Sequence, residues 1–171
     1  MTAFWDQDRG YLADYVNGDF RDFSVRPSQV IAVSVDHSPL TTDMKKSILD
    51  VVEGELLTPR GLRSLSPKNP AYKEVCEGDQ PQRSAAYHQG TVWPWFLEHY
   101  VKGVLEVHKK SGLSQVKKIF DGFEEEMSRR GIGSISETYD GNPPHFGRGT
   151  ISAATGVASL LRVNEMIEGF I

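Results

Sequence analysis

The sequence has a single cysteine, no apolar run long enough to cross a bilayer and no cluster of basic residues. Cys76 alone excludes an internal disulfide framework and a multi-cysteine metal site, and it suits a reducing compartment. A membrane-spanning helix needs roughly 20 apolar residues, and the first residues lack the basic and then apolar pattern of a signal peptide. We therefore expect a cytoplasmic protein without a membrane partner.

Several kinds of binding site are missing as well. The net charge is -4 at pH 7 and the Lys and Arg residues are scattered, which excludes the basic surface that nucleic-acid binding requires. The histidines show no metal-ligand spacing, and neither a nucleophile elbow nor a phosphate-binding glycine loop occurs. These absences favour a neutral ligand, with no metal, no cofactor and no nucleic acid.

What the chain does have is helical periodicity over a length that suits one domain. Apolar residues recur at helical spacing in four long segments, at about residues 42–57, 91–110, 113–131 and 150–169. Thr41 can cap the first segment, and Pro94 is tolerated in the first turn of the second. The apolar residues 28–35 fit either a helix or a buried strand, and we interpret them as helix.

Segments that are apolar on most sides alternate with segments that are apolar on one side only. Such alternation is typical of concentric layers of antiparallel helices, so we predict an all-α fold. The connections that lead into the inner helices are the long ones, at residues 17–27, 60–90 and 132–149. Long loops inside a compact domain usually carry function, and in this arrangement all three open on one face.

Two of these loops concentrate side chains that suit a sugar. Residues 87–95 bring together His88, Gln89, Trp93 and Trp95, while residues 131–145 carry Glu137 and Asp140. Aromatic faces can stack on pyranose rings, and amides, imidazoles and guanidinium groups can satisfy hydroxyls. Arg26 ends the remaining long loop and is expected on the same face.

Each of these residues also has a purely structural explanation. The two indoles could be core residues that enter a helix, and His88 could be a hydrogen-bonded structural histidine. Glu137 could cap a turn, and Asp140 begins an Asp-Gly-Asn-Pro stretch that is common in turns. Arg26 could simply pair with Asp19 or Asp22.

Longer stretches of the chain resemble one family. Residues 87–95 (YHQGTVWPW) and 135–145 (ISETYDGNPPH) closely resemble the C-terminal glucosidase domain of glycogen debranching enzymes, and the likeness continues through residues 18–19, 24–29, 56–67 and 78–79. The resemblance implies the C-terminal half of an (α/α)6 barrel, a six-hairpin toroid of antiparallel helix pairs, with residues 1–171 as a partial glucosidase domain. It also implies removal of α-1,6-linked glucose stubs from glycogen by inversion. Glu137 matches the general base, and the implied substrate-binding residues are Arg26, Asp79, His88, Gln89, Trp93, Trp95, Tyr139 and Asp140.

The sequence departs from the family pattern in two places. The Trp-Met-Asp element that supplies the general acid does not occur, and residues 153–156 (AATG) replace a Gln-Ala-Trp-Ser-like stretch. A single carboxylate cannot both protonate a leaving group and activate water, so we expect negligible hydrolysis by this chain alone. The expected partners are glycogen or a branched α-glucan, together with the missing N-terminal half of the barrel or a second copy, as for a fragment or split-gene product.

Other functions remain open at this point. The chain could be a non-catalytic glycan-binding module that uses Arg26 and the two indoles without chemistry. It could also be a related α/α-barrel glycosidase or a disaccharide phosphorylase. A phosphorylase would need an anion pocket where the base stands, and Glu137 argues against that reading.

Overall fold

The computed structural model describes residues 3–170. Its α-helices are α1 (Ser28–Ser34), α2 (Thr42–Glu55), α3 (Gln80–Ala86), α4 (Leu97–His108), α5 (Leu113–Asp121) and α6 (Ala154–Glu168). Its short strands are β1 (Trp5–Asp6), β2 (Tyr11–Leu12), β3 (Tyr15–Asn17), β4 (Phe20–Asp22), β5 (Leu57–Thr58), β6 (Gly61–Arg63), β7 (Val92–Trp93), β8 (Thr138–Tyr139) and β9 (Gly147–Arg148). Within the described range, no helix is both long and apolar enough to cross a membrane.

The helices predicted over residues 42–57 and 28–35 are confirmed. The Thr41 hydroxyl accepts the backbone N–H of Met44 at 3.3 Å and caps α2, whose inward face buries Ile48, Leu49 and Val52. Residues 28–34 form helix α1, so the strand alternative for this segment does not apply.

Three predicted helix ends are wrong, because contacts with distant parts of the chain fix where these helices begin or end. The helix predicted over residues 91–110 starts later, because Val92 and Trp93 pair as β7 and residues 94–96 form a 3-10 turn. Helix α5 stops at Asp121, where Gly122 follows and the Arg60 side chain donates to the Gly122 carbonyl. Helix α6 begins at Ala154 and not at Thr150.

The fold is mostly helical, but the all-α prediction needs correction. Strands β5 to β9 form an antiparallel five-stranded sheet, and β1–β2 and β3–β4 are separate hairpins. Every strand has two or three residues, which is too short for an alternating pattern to be visible in the sequence. Helix α3 was also missed, although its Asp79–Gln82 capping box is a signal that a sequence can show.

Helix α4 lies at the centre of the domain. It packs against α1, α2 and α6 and buries Leu97, Tyr100 and Val101 completely. A Cβ at Gly103 would lie 2.7 Å from Cγ1 of Val33, so the glycine permits the close approach of α1 and α4. Helix α6 is less enclosed than its composition predicted, since Leu161 is 67% exposed.

The five-stranded sheet is what brings the long loops together. Arg63 of β6 pairs with Val92 of β7, and Val92 pairs in turn with Tyr139 of β8. Strand β8 directly follows Glu137, and two residues separate the His88–Gln89 turn from β7. The sheet therefore holds the second and third long loops side by side at the ends of the inner helices.

Candidate active site

Five of the predicted site residues line one cavity of about 510 Å³. They are Arg26, His88, Gln89, Trp93 and Trp95. Asp14, Asp22, Ser28 and Ser64 contribute further polar atoms to the same wall. A cavity that combines indole faces with a few directed polar groups is the usual form of a small-molecule site.

Arg26 organises this cavity through its own hydrogen bonds. Its Nη1 donates to the carbonyl oxygens of His88 at 2.6 Å and Ser64 at 3.1 Å, and its Nη2 donates to Oε1 of Gln89 at 3.0 Å. A guanidinium fork suits such a task because its donors have fixed directions. The side chain therefore fixes the 88–89 turn and orients the amide of Gln89.

The ion-pair partner of Arg26 is neither Asp19 nor Asp22 but Asp14, whose Oδ2 lies 3.4 Å from Nε. The β3–β4 hairpin brings Asp14 to this position, because the Asp14 N–H donates to the carbonyl of Asp22 at 2.8 Å. Nothing in the local sequence around Arg26 indicates this contact.

The rings of Tyr87, His88 and Trp93 form an aromatic wall beside the 88–89 turn. Tyr87 meets Trp93 edge to face with ring centroids 4.7 Å apart, and the His88 ring stacks on Trp93 at 5.8 Å. The indole N–H of Trp93 donates to the Tyr87 carbonyl at 3.3 Å. Trp93 is buried while Trp95 is partly exposed, so Trp95 has the more accessible ring.

Both oxygens of Glu137 accept a hydrogen bond. The Tyr87 hydroxyl donates to Oε1 at 2.6 Å, and the backbone N–H of Thr150 donates to Oε2 at 2.8 Å. The Thr150 N–H and then the Tyr87 hydroxyl lower the pKa of Glu137, so the carboxylate is ionised at neutral pH. Burial and the neighbouring Glu137 charge raise the pKa of Tyr87 to about 12, which keeps the phenol protonated as a donor.

The backbone around Glu137 is held on both sides. Its own N–H donates to the Thr150 carbonyl at 3.0 Å, so Thr150 both donates to and accepts from this residue. The same pairing explains why residue 150 is not part of α6. Gly149 has φ +66°, and a Cβ there would clash with Oε2 of Glu137, so the tight passage requires glycine.

Three other predicted site residues have structural partners. Asp140 is 6% exposed, and its two oxygens accept from Nε and Nη2 of Arg148 at 2.9 and 3.0 Å. Tyr139 is fully buried, and its hydroxyl accepts the N–H of Ser136 at 3.3 Å. Asp79 is exposed and caps α3. The side chains of these three residues therefore stabilise loops and the start of α3.

A second cavity of about 460 Å³ lies on the Glu137 side of the turn. Its lining includes Tyr87, His88, Thr138 and Gly149. His88 lines both cavities, and Tyr87 joins the second cavity to Glu137 through its hydroxyl. The predicted base and the predicted sugar-binding residues are thus neighbours across one aromatic wall.

Sequence reasoning missed two polar residues in this region. Tyr87 belongs to the quoted 87–95 stretch, yet only its neighbours were singled out as binding residues. Asp14 carried no signal because its role depends on a hairpin too short to be seen in the sequence. Over residues 3–170, no cluster of three His, Cys, Asp or Glu residues is arranged to hold a metal ion.

Comparisons with known proteins bear on the family and the fold of the chain. The family model described as Amylo-alpha-1,6-glucosidase matches residues 1–162. Among solved structures, the neutral trehalase of Saccharomyces cerevisiae is similar over 99% of this chain, with a TM-score of 0.57 and 15% sequence identity. At that identity the likeness shows a shared fold only. The chain spans 30% of the trehalase chain.

Proposed function

The chain belongs to the amylo-alpha-1,6-glucosidase family, and we propose that it supplies the water-activating side of a site that hydrolyses α-1,6-glucosidic branch stubs. In this proposal Glu137 is the general base of an inverting reaction. The glucose unit binds at His88, which lines both cavities, with Arg26, Gln89, Trp93 and Trp95 on one side and Glu137 beyond Tyr87 on the other. The helices form the second half of an (α/α)6 barrel whose glucan substrate enters at the loop face.

One observation carries the proposal: Glu137 is an ionised carboxylate fixed by Tyr87 and Thr150 beside the aromatic wall. A carboxylate oxygen can accept more than one hydrogen bond, so each oxygen can still accept a proton of water. A general base must be ionised and held in place, and Glu137 is both, although the hydrogen bonds that hold it also lower its basicity. Water held by Glu137 would attack the anomeric carbon, and the proton released would pass to this carboxylate.

The same chemistry needs a carboxylic acid on the opposite face of the sugar. In inverting enzymes it stands about 6.5–9.5 Å from the base and protonates the leaving oxygen. Asp14 and Asp22 are the carboxylates that line the main cavity. Asp14 is paired with Arg26, and hydrogen bonds from Ser24 lower the pKa of Asp22. Neither is suited to donate a proton, so we assign the acid to residues outside this chain.

The acid would come with a partner that covers the exposed sides of the inner helices. Val35 at the end of α1 and Leu161 on α6 are exposed apolar residues that such a partner could bury. The partner in this proposal is the N-terminal half of the barrel, and self-association is the alternative.

The experiment uses α-glucosyl fluoride, whose leaving group departs as fluoride and does not need protonation by an acid. The purified chain should release fluoride and β-glucose from it, but no glucose from branched limit dextrin. Glu137→Gln should slow fluoride release by about a hundredfold or more, the usual contribution of a general base. Glu125→Gln changes an exposed carboxylate in the 3-10 turn at residues 125–128 and serves as the matched control.

Each result discriminates between functions. Equal fluoride release by the wild-type chain and Glu137→Gln would remove Glu137 from the base role. Release of α-glucose would rule out inversion. Binding of glucan without any fluoride release would favour the non-catalytic glycan-binding module. Glucose release from limit dextrin would show that the acid lies within the chain.

A further inference from the structure

The β3–β4 hairpin exposes two aromatic side chains that neither the core nor the cavity uses. Tyr15 is 51% and Phe20 61% exposed, and their rings lie 6.4 Å apart at a tilt of 56°. Single apolar residues on a surface are ordinary, whereas adjacent exposed aromatic rings beside a cavity indicate a binding surface.

The register of the hairpin places both rings on one face. Tyr15 pairs with Asp22 and Asn17 pairs with Phe20. Directly opposed residues, and residues two apart on one strand, project to the same side of an antiparallel pair. Tyr15, Asn17, Phe20 and Asp22 therefore share a face.

The cavity lies at one end of this face. Asp22 lines the cavity, as does Asp14, which directly precedes β3. Two residues of strand rise separate Asp22 from Phe20, a distance of roughly 7 Å. The aromatic face thus begins at the cavity wall and runs outward along the hairpin.

The opposite face of the hairpin packs against its own domain. Arg21 lies 3.7 Å from Asp6 of the first hairpin, and its guanidinium lies 5.5 Å from the centroid of Phe23. These contacts fix which side of the hairpin turns outward. The exposure of Tyr15 and Phe20 is therefore a consequence of the packing of Arg21.

We propose that Tyr15 and Phe20 form a stacking platform for the part of an α-glucan chain that extends beyond the cavity. This proposal rests on the glucan-cleaving function proposed above and adds a site for more distant sugar units. Sugar rings present apolar faces to aromatic side chains, and a platform continuous with the cavity would hold successive units of one chain.

Charge favours a neutral polymer as the occupant. Asp22 shares the face of the two rings and Asp19 lies in the hairpin turn, whereas the Asp14 carboxylate at the base of the hairpin pairs with Arg26. Carboxylates repel lipid phosphates and nucleic-acid backbones, whereas they can accept hydrogen bonds from sugar hydroxyls. The surface therefore fits a glucan better than an anionic partner.

The test measures binding by the 171-residue chain with two probes, isomaltose as a short sugar and maltoheptaose as a longer chain. The variant Tyr15→Thr/Phe20→Thr removes the rings and introduces β-branched residues, which favour strands. Its dissociation constant for maltoheptaose should rise about tenfold, the loss expected for two stacking contacts. Its affinity for isomaltose should be unchanged. Phe20→Tyr should retain binding, and Leu161→Ala is the control for an exposed apolar residue elsewhere.

Three results would overturn the platform. These are an unchanged affinity for maltoheptaose in the double variant, an equal loss for both sugars, and no binding of maltoheptaose by the wild-type chain. A change in oligomeric state instead of affinity would assign the rings to a protein interface. Fluoride release that depends on Glu137, together with unchanged maltoheptaose affinity, would preserve the proposed function and remove only the platform.

Discussion

Replacing Tyr87 with Phe tests how the protein keeps Glu137 ionised. The variant loses the hydroxyl that donates to Oε1 at 2.6 Å and keeps the ring that packs on Trp93. Hydrogen bonds to charged groups contribute about 1.5–3 kcal/mol, and partial solvent exposure of Glu137 reduces this to about 1 kcal/mol. Because the Tyr87 hydroxyl stabilises the ionised form, its loss should raise the pKa of Glu137 by the equivalent of this free energy.

The pKa can be measured without enzymatic activity. A ¹³C NMR titration of a glutamate-labelled chain gives it directly, with the Glu137 resonance identified by its absence from Glu137→Gln. The acid limb of fluoride release should move to higher pH by the same amount. Tyr11→Phe is the control, because its hydroxyl donates to the Phe23 carbonyl, far along the chain from Glu137.

Stability should follow the same linkage. The folded pKa of Glu137 is lowered, so its contribution to the free energy of unfolding is present above the unfolded value and is lost as pH falls through the folded pKa. Tyr87→Phe should therefore cost more stability at pH 7 than at pH 3. An unmoved Glu137 titration in Tyr87→Phe would refute the idea that this phenol holds the carboxylate ionised.

Three further predictions concern stability and can be checked by urea unfolding. Gly149→Ala should destabilise the chain by about 1–3 kcal/mol and displace Glu137, because alanine is strained at positive φ. An unchanged free energy of unfolding would mean that the loop relaxes freely. Asp140→Asn should cost about 1–2 kcal/mol, since it weakens two hydrogen bonds from Arg148 while the partly exposed guanidinium keeps its ion pair with Glu77, and wild-type stability in this variant would contradict a structural role. Thr41→Ala should cost about 1 kcal/mol through loss of the α2 cap, and no change would mean that water replaces the hydroxyl.

The helices were predictable where one strong pattern dominated. The α2 segment has a cap, an acidic first turn and a single apolar stripe, and all three signals agree with its structure. The start of α6 was not predictable, because Thr150 is held by Glu137, a contact between residues 13 positions apart. The short strands escaped detection because two or three residues cannot show an alternating pattern, even where the partners are neighbours in sequence, as β3 and β4 are.

Sequence patterns likewise predicted some residues of the candidate site and failed for others. Arg26, Gln89 and Trp93 were identified by residue type and long-loop position, and the structure brings them together at one cavity. Asp140 looked equally suitable in sequence, yet Arg148 occupies both of its oxygens. Whether a loop carboxylate faces a ligand or an internal cation depends on tertiary packing, which residue type alone does not specify.

The small antiparallel sheet has a consequence for how relatives of this protein could diverge. Because the pairing of Arg63, Val92 and Tyr139 fixes where the loops meet, the segments between these anchors can gain or lose residues while the anchors stay in place. Residues 64–74 do not share this freedom, because the Ser64 carbonyl accepts from Arg26 and the Lys73 N–H donates to the Gln89 carbonyl. Changes in length at the exposed residues 77–79 could therefore alter the surface around the candidate site without moving Glu137.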